Sequence, residues 1–191
     1  TDGGDSQLWV YTLDGGYAEY WDSAYSLDSG GDMDATPAVG DVDGDGDAEI
    51  IAITWIDPGS GDGESTTVWS INSDHTLDWE TTYDQENSDG CQGWPRCDDD
   101  EHAIASPILA VIYTDDGEDN LDVFTCTTPY CHALDGNDGG DGGGAKDSLW
   151  DIKLEGRQND NRIFTSPAAS DVDGDGLLDF IIDGAVYSAD L

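Results

Sequence analysis

Residues 36–55 read Thr36-Pro37-Ala38-Val39-Gly40-Asp41-Val42-Asp43-Gly44-Asp45-Gly46-Asp47-Ala48-Glu49-Ile50-Ile51-Ala52-Ile53-Thr54-Trp55. A short segment led by proline runs into an Asp/Gly turn, and the turn runs into a β-branched apolar stretch. Proline holds the residue before it in extended backbone. The turn glycines permit a sharp bend, and Ile-Ile-Ala-Ile-Thr suits a buried strand. The same plan recurs as Ser166-Pro167-Ala168-Ala169-Ser170-Asp171-Val172-Asp173-Gly174-Asp175-Gly176-Leu177-Leu178-Asp179-Phe180-Ile181-Ile182. A degraded copy lies between them: Ser106-Pro107-Ile108-Leu109, then residues 114–122 from Thr114 to Asp122, then Val123-Phe124-Thr125-Cys126.

Working outward, the first and the middle copies are each followed by two more strand-like runs. Thr67–Asn72 and Thr76–Glu80 follow the first; Tyr130–Leu134 and Ser148–Leu154 follow the second. Leu8–Leu13 and Ala18–Trp21 read as the third and fourth strands of an earlier unit, and Ala185–Ser188 as the third strand of a last one. The runs are short, rich in β-branched and aromatic residues, and separated by Asp-Gly or Asn-Asp turns, with no sustained helical period. The expected fold is all-β, built of propeller-like, four-stranded antiparallel blades with a repeat of about 60–70 residues. The expected boundaries are 1–33 for trailing strands of a first blade, 34–100 and 101–162 for whole blades, and 163–191 for the leading strands of a last blade.

These pieces amount to about three blade equivalents, fewer than the roughly four to eight of a closed propeller. A start at Thr1 without Met fits a processed or excised segment. The expectation is therefore a partial or intermolecularly completed propeller, either part of a longer protein or joined head to tail. An unfinished blade leaves an open sheet edge, and a repeated contact that does not close builds a filament.

The two clear turns carry the chemistry. Asp41, Asp43 and Asp45 alternate, Gly46 follows, Asp47 stands at position 7 and Glu49 at position 9; Asp171, Asp173, Asp175, Gly176, Leu177 and Asp179 repeat the spacing. Calcium takes about six to eight hard oxygens, and alternate acids turn carboxylates inward while a glycine at position 6 permits the bend. Position 7 offers its backbone carbonyl, from Asp47 or Leu177, and the position 9 acid closes the shell. Chance acidic turns are the alternative in a chain so rich in Asp and Gly, but two copies in one Pro-led context favour calcium. The middle loop, with Thr114, Asp116, Glu118 and Asp122, has Asp119 where glycine belongs and reads as a third, weaker site.

Ala38-Val39-Gly40-Asp41-Val42-Asp43-Gly44-Asp45-Gly46-Asp47-Ala48-Glu49-Ile50-Ile51 resembles an FG-GAP/VCBS repeat, the calcium-binding blade unit of integrin-alpha-type β-propellers. The resemblance spans most of the chain as a repeat plan and is specific in the two clear loops. It implies four-stranded blades whose first hairpin is stiffened by Ca2+, and a role in adhesion, ligand binding or surface assembly. It fixes no ligand, because such blades host many functions.

Five basic against 44 acidic residues give a formal net charge of -39. Such a polyanion repels nucleic acid and anionic membrane surfaces and calls for cations, either divalent ions in specific loops or screening salt. Seven Trp and eight Tyr in a chain that is 37% hydrophobic argue against disorder. No run of 18 apolar residues predicts a membrane span, and none reads as a signal peptide.

Four cysteines allow three connectivities. Local pairing, Cys91 with Cys97 and Cys126 with Cys131, is the expectation; zinc is the rival, although neither pair has the usual short gap with a matching second pair. Disulfides point to an oxidising, extracellular or cell-surface location. His75, His102 and His132 are scattered, and no nucleophile elbow or phosphate loop stands out. Acidic pairs are expected by number alone and do not argue for glycoside hydrolysis. Trp9, Trp21, Trp69, Trp79 and Trp150 lie in strand patterns and are expected between blades, with Trp55 and Trp94 more exposed. The reading is a non-enzymatic, extracellular, calcium-binding structural or adhesive module that self-associates head to tail. The alternative is a carbohydrate- or protein-binding domain of a larger ectodomain, and, less favoured, an accessory part of a secreted enzyme.

Overall fold

The computed structural model describes residues 6–27, 31–56, 65–84, 105–112, 120–126, 130–137, 150–153, 165–182 and 184–188. The Cys91/Cys97 pair, Trp94, His102, and Thr114, Asp116 and Glu118 of the middle loop lie outside these residues, as do the surroundings of the Trp150 side chain. In chain order the strands are β1 (Ser6–Leu8), β2 (Tyr25–Leu27), β3 (Ala38–Gly40), β4 (Glu49–Ile56), β5 (Ser65–Ile71), β6 (Leu77–Asp84), β7 (Ile108–Ala110), β8 (Asp122–Cys126), β9 (Tyr130–Leu134), β10 (Trp150–Lys153), β11 (Ala168–Ser170), β12 (Asp179–Ile182) and β13 (Ala185–Ser188). Among the described residues there is no helix.

The strands form separate antiparallel sheets, ordered β1-β2, β3-β4-β5-β6, β7-β8-β9-β10 and β11-β12-β13. The two four-stranded sheets and the three-stranded sheet share a register. Val39 pairs with Ile50, Leu109 with Val123, and Ala169 with Phe180. The repeats seen in sequence are thus structurally equivalent, strand by strand.

At the N-terminus the strands fall elsewhere than Leu8–Leu13 and Ala18–Trp21. Ser6–Leu8 pairs with Tyr25–Leu27, and the segment between is joined by an isolated Tyr11–Tyr17 bridge and an Ala18 N–H to Val10 O bond at 3.1 Å. A turn at Thr12–Gly16, closed by the Thr12 N–H on Gly16 O at 2.9 Å and by Gly15 with φ 88°, consumes what the alternation suggested was strand.

Alternation along each second strand explains the stacking. In β4, Ile51 and Ile53 face Val123 and Leu134 of the next sheet, whereas Ile50 and Ala52 face Leu8, Trp21 and Leu27 of the N-terminal segment. In β8, Phe124 and Cys126 turn the other way from Val123 and pack on Phe180 and Ile182. The Phe124 and Phe180 rings stack at 4.2 Å. Both faces of a middle strand are covered, which is why these runs read as continuously apolar.

Inner strands also meet: β3 lies beside β7, and β7 beside β11. A Cβ on Gly40 would stand 2.7 Å from Leu109 Cδ1, so glycine permits that approach. Gly136 plays the same part between sheets, where a Cβ would stand 1.9 Å from Leu121 O and 2.6 Å from Val42 O. Its carbonyl accepts the Trp79 indole N–H at 2.9 Å. Trp21 and Trp69 are likewise buried with their N–H groups satisfied, by Ser73 O and Thr54 Oγ1. Trp9, expected between blades, is exposed instead. The Cys126–Cys131 disulfide closes the β8–β9 hairpin as the local-pairing expectation had it.

Candidate metal centres

Each clear Asp/Gly turn joins an inner strand to the apolar strand beside it, β3 to β4 and β11 to β12. The two turns are folded by the same five hydrogen bonds. Asp41 Oδ1 accepts the Gly44 N–H at 2.8 Å and Oδ2 the Gly46 N–H at 3.1 Å; Asp171 does the same from Gly174 at 2.6 Å and Gly176 at 3.0 Å. Asp43 accepts from Asp45 and Asp45 from Asp47, as Asp173 accepts from Asp175 and Asp175 from Leu177. Gly44, Gly46, Gly174 and Gly176 all have positive φ, between 75° and 97°. Those angles are what wrap the chain around the leading aspartate.

The fifth bond belongs to position 9. Glu49 Oε2 accepts the Val42 N–H at 2.9 Å, and Asp179 Oδ2 the Val172 N–H at 2.8 Å. Both acids are buried. They latch the base of the turn, a role the metal spacing alone did not suggest.

Carboxylates converge in both turns, with ligand atoms within 4.8 Å of one another: Asp41, Asp43 and Asp45 in the first, Asp171, Asp173 and Asp179 in the second. Glu49 and Asp175 fall outside these two groups of three, and Asp47 and Leu177 contribute backbone at the turn exit. Three like charges at such range repel strongly unless a cation sits among them. Hard oxygens in a flexible turn fit calcium better than a softer metal.

The middle loop keeps the latch. Asp122 Oδ2 accepts the Ile112 N–H at 2.7 Å, the equivalent of Val42 to Glu49. Ala110 pairs with Asp122 as Gly40 pairs with Glu49, so this loop spans twelve positions (122 less 110) where the first spans nine (49 less 40). Counted from the first strand, Val111 stands where Asp41 and Asp171 stand in the other turns.

Asp78, which the sequence reading passed over, adds a further carboxylate beside the first turn. It accepts the Ser70 hydroxyl at 3.0 Å. Burial pushes Asp78 above the usual carboxylate range, the Ser70 bond opposes this, and the Asp43 and Asp45 charges reinforce it. Burial likewise pushes Glu49 up; the Val42 N–H opposes it, and Asp43, Asp45 and Asp78 add to it. Only a fourth strand, β6, brings Asp78 there, and the three-stranded sheet has no counterpart among its described strands.

The described histidines serve packing. His132 stacks on Tyr83 at 4.1 Å, and His75 lies edge-on to Trp21 and Tyr25.

No protein-family model, no curated protein and no solved structure matches this chain.

Proposed function

We propose that this chain is a calcium-stabilised β-repeat module of the FG-GAP/VCBS kind, working outside the cell as a structural or adhesive element rather than as an enzyme. One observation carries the reading: two turns, 130 residues apart (171 less 41), share one backbone path, five equivalent hydrogen bonds and convergent carboxylates. Calcium in these turns relieves the carboxylate repulsion and pins an inner strand to its neighbour. The net charge of -39 favours a divalent ion further. The Cys126–Cys131 bridge is compatible with an oxidising compartment. The face-to-face order of the sheets supports propeller-like stacking, and their open ends support head-to-tail self-association.

Thermal melting with calcium and then with chelator tests the reading. A melting temperature that chelator leaves unmoved refutes it.

A second reading, carbohydrate binding, is favoured by one feature. Trp9, Tyr11 and Tyr17 are exposed and clustered, with ring centroids 5.3–6.3 Å apart, the kind of surface on which a sugar ring stacks. A glycan array, repeated with Trp9→Ala, decides it.

A further inference from the structure

The repeats give each sheet a leading face, turned toward the next sheet, and a trailing face, turned toward the one before. The leading column holds Ile51 and Val42 in the first repeat, Phe124 and Ile112 in the second, and Ile181 and Val172 in the third. Ile51, Val42 and Phe124 are fully buried by the following sheet, and Ile112 packs on the same cluster as Phe124. In the last sheet Ile181 is 37% and Val172 56% exposed, with Val186 beside Ile181 also 56% exposed.

The trailing face shows the reverse. Leu109 and Leu121, then Ala169 and Leu178, pack against the preceding sheet. Their equivalents in the first repeat, Val39 and Ala48, line an open groove of about 590 Å³ together with Pro37, Ile50 and Trp9. Val39 is 65% exposed. The N-terminal segment covers Ile50, Ala52, Trp69 and Ile71 and forms the far wall of this groove, with Trp9, Tyr11 and Tyr20, while Val39 stays open to solvent.

A polar ladder crosses the same interfaces. The Thr36 N–H donates to Ser106 Oγ at 2.8 Å, and the Ser106 N–H donates to Ser166 Oγ at 3.3 Å. These three residues precede Pro37, Pro107 and Pro167. The ladder runs out at the Thr36 hydroxyl on one side and the Ser166 N–H on the other.

We propose that a second copy of this chain docks its last sheet into this groove, placing β11 and β12 beside β3 so that Ile181 and Val172 cover Val39 and Ala48 and the Ser166 N–H meets the Thr36 hydroxyl. The argument is continuity: the two interfaces already inside the chain join these same positions twice, and the open ends are the two halves of a third. The contact is heterologous, so it propagates as a chain of copies unless rotation closes it. It deepens the repeat-module reading and rests on it for the equivalence of the repeats, but not for calcium. Each copy brings a charge of -39, so docking requires screening.

The test is mass in solution across a concentration series, in about 1 M salt, where the Debye length is only ~3 Å, with calcium and with chelator. The parent chain is expected to grow in mass with concentration. Ile181→Glu and Val39→Glu each put a charge on one of the two exposed surfaces. Each alone should be monomeric, with the parent's circular dichroism and, at dilutions where the parent is monomeric too, its melting temperature. Mixed in equal amounts, they should form complexes of twice the monomer mass and no larger, because each supplies the surface the other lacks. Val186→Glu provides a second charged variant of the leading face should Ile181→Glu disturb folding. A parent monomeric at every concentration, a mixture that stays monomeric, or a Val39→Glu variant that grows like the parent overturns the docking. Assembly in chelator without a calcium-dependent melt leaves the docking standing and removes the calcium reading; a calcium-dependent melt with a strict monomer does the opposite.

Discussion

Asp43→Asn together with Asp173→Asn separates a turn that needs calcium from one that needs only its own hydrogen bonds. Asp43 Oδ1 accepts the Asp45 N–H at 3.0 Å, and Asp173 Oδ1 the Asp175 N–H at 3.1 Å. An asparagine carbonyl can accept the same bonds, so the backbone path is retained while one ligand charge is lost from each cluster. With calcium at a hundredfold excess over Kd, each intact site adds about 2.7 kcal/mol, so two add about 5.4 kcal/mol. For a chain of 191 residues, each kcal/mol moves the melting temperature by roughly 2–4 °C, so calcium should raise the parent's by about 10–20 °C. The double variant should lose most of that rise. In chelator it should melt no lower than the parent, because fewer like charges crowd the turns. Calorimetry of both proteins, with and without calcium, reads all four values. Of the single variants, Asp43→Asn should recover more stability in chelator, since Glu49 and Asp78 crowd the first turn. A double variant that responds to calcium like the parent refutes the ligand assignment; one that melts much lower in chelator shows that the charged carboxylates stabilise the turns without an ion, against the repulsion argument.

Further perturbations reach other links in the chain. Gly136→Ala must displace Leu121 O or Val42 O, an overpacking that costs about 1–3 kcal/mol and should lower the melting temperature without altering the calcium response. Replacing Cys126 and Cys131 by serine opens a loop of sequence separation 5, which should cost about 2 kcal/mol by loop-closure entropy and be matched by reduction of the parent. In chelator, stability should fall as pH rises above about 4.5, the ordinary Glu49 value, and through its raised folded value. The sign follows because the folded state holds its proton more tightly than the unfolded chain in that window. Glu49→Gln should flatten that slope in a pH series of melts while keeping an acceptor for the Val42 N–H.

Much of the architecture was legible because the repeat carries its own punctuation. Proline before an inner strand, Asp/Gly at the turn and a continuous apolar run after it are local signals, and the structure sets β3, β7 and β11 and their partners where those signals fall. The N-terminal strands were misplaced because an alternating aromatic pattern, Trp9 to Tyr17, suits an exposed cluster as well as a strand. Asp78 was invisible for a different reason. It is distant from the turn in sequence, and only the β5–β6 pairing brings it near Asp43 and Asp45. The middle loop is three residues longer between its inner strand and its buried acid than the first, 110 to 122 against 40 to 49.

The latch clarifies what that insertion leaves untouched. All three turns anchor a buried position 9 acid on the backbone N–H two residues past the inner strand, from Val42, Ile112 and Val172. Two of the three also place an aspartate at the first turn position; the middle one places Val111 there. The bond common to all three secures the hairpin; the first turn's convergent aspartates stand apart from its latch acid, Glu49, whereas in the last turn Asp179 is both latch and member of the cluster. The middle sheet is covered on both faces, by Ile51 on one side and Phe180 on the other. The outer repeats each leave a face partly bare, at Val39 and at Ile181, and have less packing to resist the repulsion of their own carboxylates. Among the described residues, the acid triads sit in the repeats that leave a face partly bare.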